Sequence, residues 1–182
     1  MRIKDFMLTV SRRTAVAVWL VGVGAAHIGL PVAVAATTRR AALKAPAAVR
    51  LAGLTLLVSG FAGLTWSLAQ HFRAAPEGGY KMALTPDYLL ESGPYRFSRN
   101  PMYVAEVAIW AGWSVVFANS VLMGATTLFG LGLRRAARVE EEAMAARFGD
   151  AWIEYAARTP RWLGTPTPTD MKGNEYGQLR GS

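Results

Sequence analysis

Between Thr14 and Thr37 the chain carries no Asp, Glu, Lys or Arg, and this run constrains everything that follows. A helix of about 20 apolar residues matches the hydrocarbon thickness of a bilayer. Three further apolar blocks succeed it, at Ala47–Gln70, Met102–Ala118 and Val121–Leu133. The pattern predicts an all-α, polytopic membrane helical bundle of about four transmembrane helices. Ala33-Val34-Ala35 mimics the cleavage site of a signal peptide, but the apolar run before it is too long for one. The first block is therefore read as a span.

Composition narrows the function classes. With 182 residues, 52% of them hydrophobic, one domain over residues 1–163 is expected. The Thr-, Pro- and Gly-rich stretch 164–182 reads as a disordered tail. The chain has no Cys, which excludes disulfides and thiolate chemistry, and two His give no basis for a protein-only zinc site. Its formal charge of +8 lies mostly beside apolar blocks, so membrane lipids, not nucleic acid, are the expected partners.

The chemistry concentrates at Ser92–Glu106, where Gly93-Pro94 and Asn100-Pro101 bracket a basic aromatic loop holding Tyr95, Arg96, Phe97 and Arg99. Pro101 suits the first position of a helix, since it has no N–H to leave unpaired. A helix N-terminus with arginines beside it can bind a carboxylate or phosphate. The same arginines can equally anchor the loop to lipid headgroups.

A second block follows in Arg134–Arg158, which reads as one long amphipathic helix leaving the membrane for its interface. Met144, Phe148, Trp152 and Tyr155 make its apolar face. On this reading Glu140 points toward the bundle and Glu141 lies at the edge of the stripe. Thr85–Leu90 is expected to form a short interfacial helix.

Gly93-Pro-Tyr-Arg-x-x-Arg-Asn-Pro-Met-Tyr103, followed by Glu140-Glu141 and Arg158-Thr-Pro-Arg-Trp162, resembles the isoprenylcysteine carboxyl methyltransferase and phospholipid methyltransferase family of integral membrane enzymes. The resemblance covers about residues 85–163. It implies S-adenosylmethionine as cofactor and an amphiphilic or lipid-like methyl acceptor, whether carboxylate, amine, hydroxyl or thiol. Cofactor-binding roles carry over to Tyr95, Arg99, Asn100, Pro101, Tyr103, Glu140 and Glu141. Glu106, Glu141 and Arg158 are the candidates for catalysis, the first two as proton acceptors and Arg158, with Arg161, as a clamp for an anionic acceptor. Arg161 serves equally as a headgroup anchor. The isoprenylcysteine branch usually has His where this chain has Asn100, and Asn cannot titrate near neutral pH. Two other classes compete: an NADPH-dependent membrane sterol or steroid reductase, and a non-enzymatic lipid-binding bundle.

Three apolar-block features stay open between packing and function. His27 is an ionisable group inside a span, and reads as a neutral histidine bonded to a neighbouring helix or as a functional site. Gly60 and Gly63 permit close helix contact, or room for a cofactor. Glu106 must face the interior, where it binds a ligand or pairs with Arg99 or Arg134. With four spans, the 71–100 loop and the C-terminal helix share one side, which the uncharged 117–120 turn and Arg134, Arg135 and Arg138 make cytoplasmic, in a bacterial-type inner membrane. Arg39, Arg40, Lys44 and Arg50 fall on the other side and oppose that orientation.

Overall fold

The computed structural model describes residues 9–10, 12–74, 80–81 and 88–166. It is an all-α membrane helical bundle. Helix α1 (Arg12–Gly24) passes through a π-helical segment (Ala25–Gly29) into α2 (Leu30–Thr37), and α3 (Ala47–Ala74) follows. After the site loop come α4 (Pro101–Phe117), α5 (Ser120–Phe148) and α6 (Asp150–Arg158). A two-residue antiparallel pairing of β1 (Thr9–Val10) with β2 (Tyr80–Lys81) is the one extended element among these residues.

Arg13–Thr37 and Ala47–Ala74 are each long and apolar enough to cross a membrane, and α4 is a shorter apolar helix. Large side chains such as Leu20, Val21, Leu51, Val58, Leu128 and Leu131 stand exposed on their outer faces. Such a belt is a liability in water and the required surface in lipid.

The α3–α4 contact is a seam of small residues. A Cβ on Gly60 would lie 2.7 Å from Ile109 Cγ1 and 2.9 Å from its backbone nitrogen. A Cβ on Gly53 would lie 2.8 Å from the Val116 nitrogen, and one on Gly112 would lie 2.8 Å from the Leu57 nitrogen. Backbone therefore touches backbone along this seam, where dispersion rather than water exclusion drives association. Leu57, Leu64, Ala105 and Ile109 fill the core beside it. Of the two expected readings of Gly60, the structure realises close packing; Gly63 is looser, its Cβ position 3.5 Å from Ala105.

Pro31 explains the π segment. Its ring cannot donate to, and would collide with, the carbonyl four residues back, which is that of His27. The helix widens there, and the freed His27 carbonyl accepts from the Trp113 indole N–H at 2.7 Å.

At the end of the bundle away from the site, Ala118 adopts a left-handed conformation (φ 46°) and closes α4. Asn119 then caps α5, its Oδ1 accepting from the Val121 and Leu122 N–H groups, while its Nδ2 donates to Thr38. The Leu43 N–H donates to the Ala118 carbonyl, so the 38–43 connection is pinned to this same end. The basic residues after Thr38 thus do lie opposite the site loop, as the four-span reading requires.

Two expectations need correction. Arg134–Arg158 is not one helix: α5 runs unbroken from Ser120 out of the apolar block and stops at Gly149 (φ +54°), and α6 starts in a new direction. Met144, Trp152 and Tyr155 still bury together with Phe148 and Leu89 against them, but across that break rather than along one face. Of the expected helix Thr85–Leu90, residues 85–87 lie outside the described residues, and Tyr88–Leu90 are not helical. The expected tail beyond residue 166 also lies outside them.

Candidate functional site

The site loop is tied down from both sides. Gly93 takes φ +61° beside the Gln70 side chain and opens a 3-10 turn, Gly93–Arg96. The Tyr95 hydroxyl bonds His71 Nε2 at 2.7 Å, and the Tyr95 carbonyl accepts from the Tyr155 hydroxyl at 2.8 Å. The C-terminal strap closes over it: the Arg99 N–H donates to the Pro160 carbonyl at 2.9 Å and the Gly164 N–H to the Phe97 carbonyl at 3.1 Å.

At the centre lies Glu141, 8% exposed. Asn100 Nδ2 donates to its Oε1 at 3.0 Å and to the Arg161 carbonyl at 3.2 Å. Arg161 grips the carboxylate through Nε at 3.0 Å to both oxygens and through Nη2 at 2.8 Å. Arg99 Nη1 lies 3.3 Å from Oε2, and its guanidinium sits 5.9 Å from the Trp152 ring centre. Burial makes such a pair costly unless every lone pair finds a donor, and here each does. The hydrogen bond to Glu141 holds the Arg161 guanidinium above its usual range. One carboxylate against two guanidiniums leaves a surplus positive charge beside the start of α4. The Asn100 side chain, spent on Glu141, does not cap that helix.

Glu140 lies apart from this knot. It bonds Tyr103, and burial, more than the neighbouring Glu141 charge, raises its carboxyl above the usual range. The sequence reading of the pair is therefore inverted: Glu141 is the buried, fully paired carboxylate, and Glu140 is the half-buried one. The reason is the break at Gly149, which sends the Arg158–Arg161 segment back over Glu141. Glu106 pairs with neither Arg99 nor Arg134; its Oε1 lies 3.9 Å from His27 Nε2.

The structure brings Arg99, Asn100, Pro101 and Glu141 together, with Tyr103, Glu140 and Glu106 following inward along α4 and α5. It sets two residues aside. Tyr95 is buried in packing against His71, and Arg158 is engaged by Glu154 at 3.1 Å and by Glu91. Sequence reasoning underrated Arg161, and missed Ser98, which is fully buried and accepts the Asn100 N–H at 3.0 Å. The Asn100–Arg161 separation in sequence gave no sign that they meet.

In this membrane helical bundle the ionisable residues gather at one end, over an inward-leading row of polar groups. In the family comparison, residues 49–151 match the model for phospholipid methyltransferase. The chain belongs to that family, and is a membrane-associated methyltransferase. Searches of characterised proteins and of solved structures gave no significant match.

Proposed function

We propose that the protein transfers a methyl group from S-adenosylmethionine to a lipid-like acceptor that enters from the bilayer. The observation that carries this reading is the convergence of Arg99, Asn100 and Arg161 on Glu141 beside the uncapped start of α4. The donor set fits the methyl donor. The surplus positive charge and the first N–H groups of α4 suit its carboxylate. Glu140 is an acceptor suited to its ammonium or ribose hydroxyls, and Tyr103 offers flat surface for adenine. When bound, the sulfonium supplies an electrophilic methyl group.

The protein's contribution is alignment and exclusion of water, since in-line displacement needs little else. The buried Asn100–Glu141–Arg161 knot fixes the start of α4 relative to α5, and so fixes Tyr103 and Glu106 relative to Glu140. Glu106 is the candidate to take a proton from an acceptor that carries one. An active face toward the cytoplasm is part of the same proposal.

Calorimetry on protein in lipid nanodiscs tests this, with NADPH as the competing ligand. S-adenosylmethionine should bind, Glu140→Ala and Asn100→Ala should each weaken it about tenfold or more, and NADPH should not compete. Absence of binding by folded protein would sink the proposal; binding of NADPH alone would favour a reductase.

A further inference from the structure

His27 has a place in the bundle that packing alone does not explain. Pro31 forces the π segment, and the turn it widens carries His27 as its one buried residue, 6% exposed. Trp113 holds the freed carbonyl. Short π segments of this kind are frequent at functional sites. The imidazole meets the Phe129 ring edge-on at 6.4 Å and the Glu106 carboxylate at 3.9 Å. Neither ring nitrogen meets a side-chain hydrogen-bond partner, and the Val23 backbone lies beside the ring. The Trp110 indole N–H, one turn beyond Glu106 on a ring that lies tilted at 5.2 Å against the same Phe129, is also unpartnered.

A buried imidazole without a side-chain hydrogen bond in a lipid-facing bundle costs free energy that an apolar residue would not. Glu106 has the complementary problem, for a carboxylate at this depth needs a partner. The other ionisable groups facing the pair among the described residues are Tyr103 on α4 and Glu140 on α5. Neither is a cation, so His27 is the one neighbour able to balance a charge on Glu106.

Resting on the methyl-transfer reading above, we propose that His27 is a positioning residue for Glu106, receiving from it the proton that the methyl acceptor gives up. The step balances. The acceptor's N–H or O–H proton passes to Glu106, the new bond to the methyl carbon forms, and the sulfur–methyl bond breaks with its electron pair left on sulfur. One positive charge disappears at sulfur and one negative charge disappears at Glu106. Passage of the proton to His27 restores the carboxylate and leaves the pair neutral overall. An acceptor that is already a carboxylate has no proton to give and makes no use of His27.

The test uses the full chain in nanodiscs, with labelled methyl donor and vesicles of phosphatidylethanolamine and phosphatidylglycerol. His27→Gln should lower turnover by about tenfold or more and move the pH profile by about one unit. In a Glu106→Gln background the same substitution should add less than about twofold, because coupled residues are not additive. Difference infrared spectroscopy without donor or acceptor supplies a second readout. A carboxyl band lost in Glu106→Gln should titrate about one pH unit or more away in His27→Gln. Trp113→Phe, which releases the His27 carbonyl but keeps both titrating groups, should move the band in the same sense. A folded His27→Gln protein with unmoved band and unmoved profile overturns the proposal. A moved band in a folded protein that binds no S-adenosylmethionine upholds the pairing and sinks the methyl-transfer reading instead.

Discussion

Glu141 illustrates how a single residue can hold two segments of chain that are distant in sequence. Removing it leaves Arg99 and Arg161 facing each other without their shared partner, so Glu141→Ala should cost about 3–5 kcal/mol of stability in detergent unfolding. Asn100→Ala removes one neutral donor from the same carboxylate and should cost about 1–2 kcal/mol. Equal losses for the two would show that Glu141 is not the hub. Glu140 gives a pH signature of its own. Its folded carboxyl holds its proton to higher pH than the unfolded one does. Between the ordinary glutamate range, near pH ~4.3, and the raised value, the folded state therefore binds more protons, and stability falls as pH rises. Glu140→Gln should flatten that fall, which unfolding at a series of pH values will show. At this scale the sequence was legible for residue types and less so for partners. Arg99, Asn100 and Glu141 stand out by their motif, but whether Glu140 or Glu141 is the buried one depends on a turn made at Gly149.

The helices were the most legible level, because apolar block length and Pro101 carry nearly all the information needed to place α3 and α4. The element boundary that failed is instructive. Periodicity through Met144, Phe148, Trp152 and Tyr155 fits one helix and also fits two short ones folded onto a shared core, and only Gly149 separates the cases. The α3–α4 seam sets a sharp contrast within one motif. Gly60→Ala forces a methyl group onto Ile109 and its backbone and should cost about 1–3 kcal/mol, whereas Gly63→Ala has ordinary contact distance and should change stability by less than about 1 kcal/mol. If Gly63 were instead a cofactor contact, its substitution would weaken S-adenosylmethionine binding while sparing stability, and calorimetry on the same two variants distinguishes the outcomes.

For the molecule as a whole, the sequence conveyed a helical membrane bundle and left orientation in conflict, since basic residues flank the apolar blocks on both sides. The structure sharpens the conflict by pinning the 38–43 connection to the α4–α5 turn. The chain has no Cys, so single substitutions can be read directly with a membrane-impermeant thiol reagent. Ser120→Cys at the turn and Ser92→Cys at the site loop, both exposed, should label from opposite faces, Ser92→Cys from the cytoplasmic one. Labelling of both from one side would overturn the four-span arrangement. The clasp of Arg161 on Glu141 also has a consequence in time. Chains are made from the N-terminus, and the first helices can enter the bilayer while later residues are still being added. Every helix of the bundle up to α5 exists before residue 161 does. The bundle can therefore assemble with its ionisable end still open, and the clasp on Glu141 forms only once the segment after α6 has been made. A chain stopped just short of Arg161 would hold every helix of the bundle and lack the clasp on Glu141.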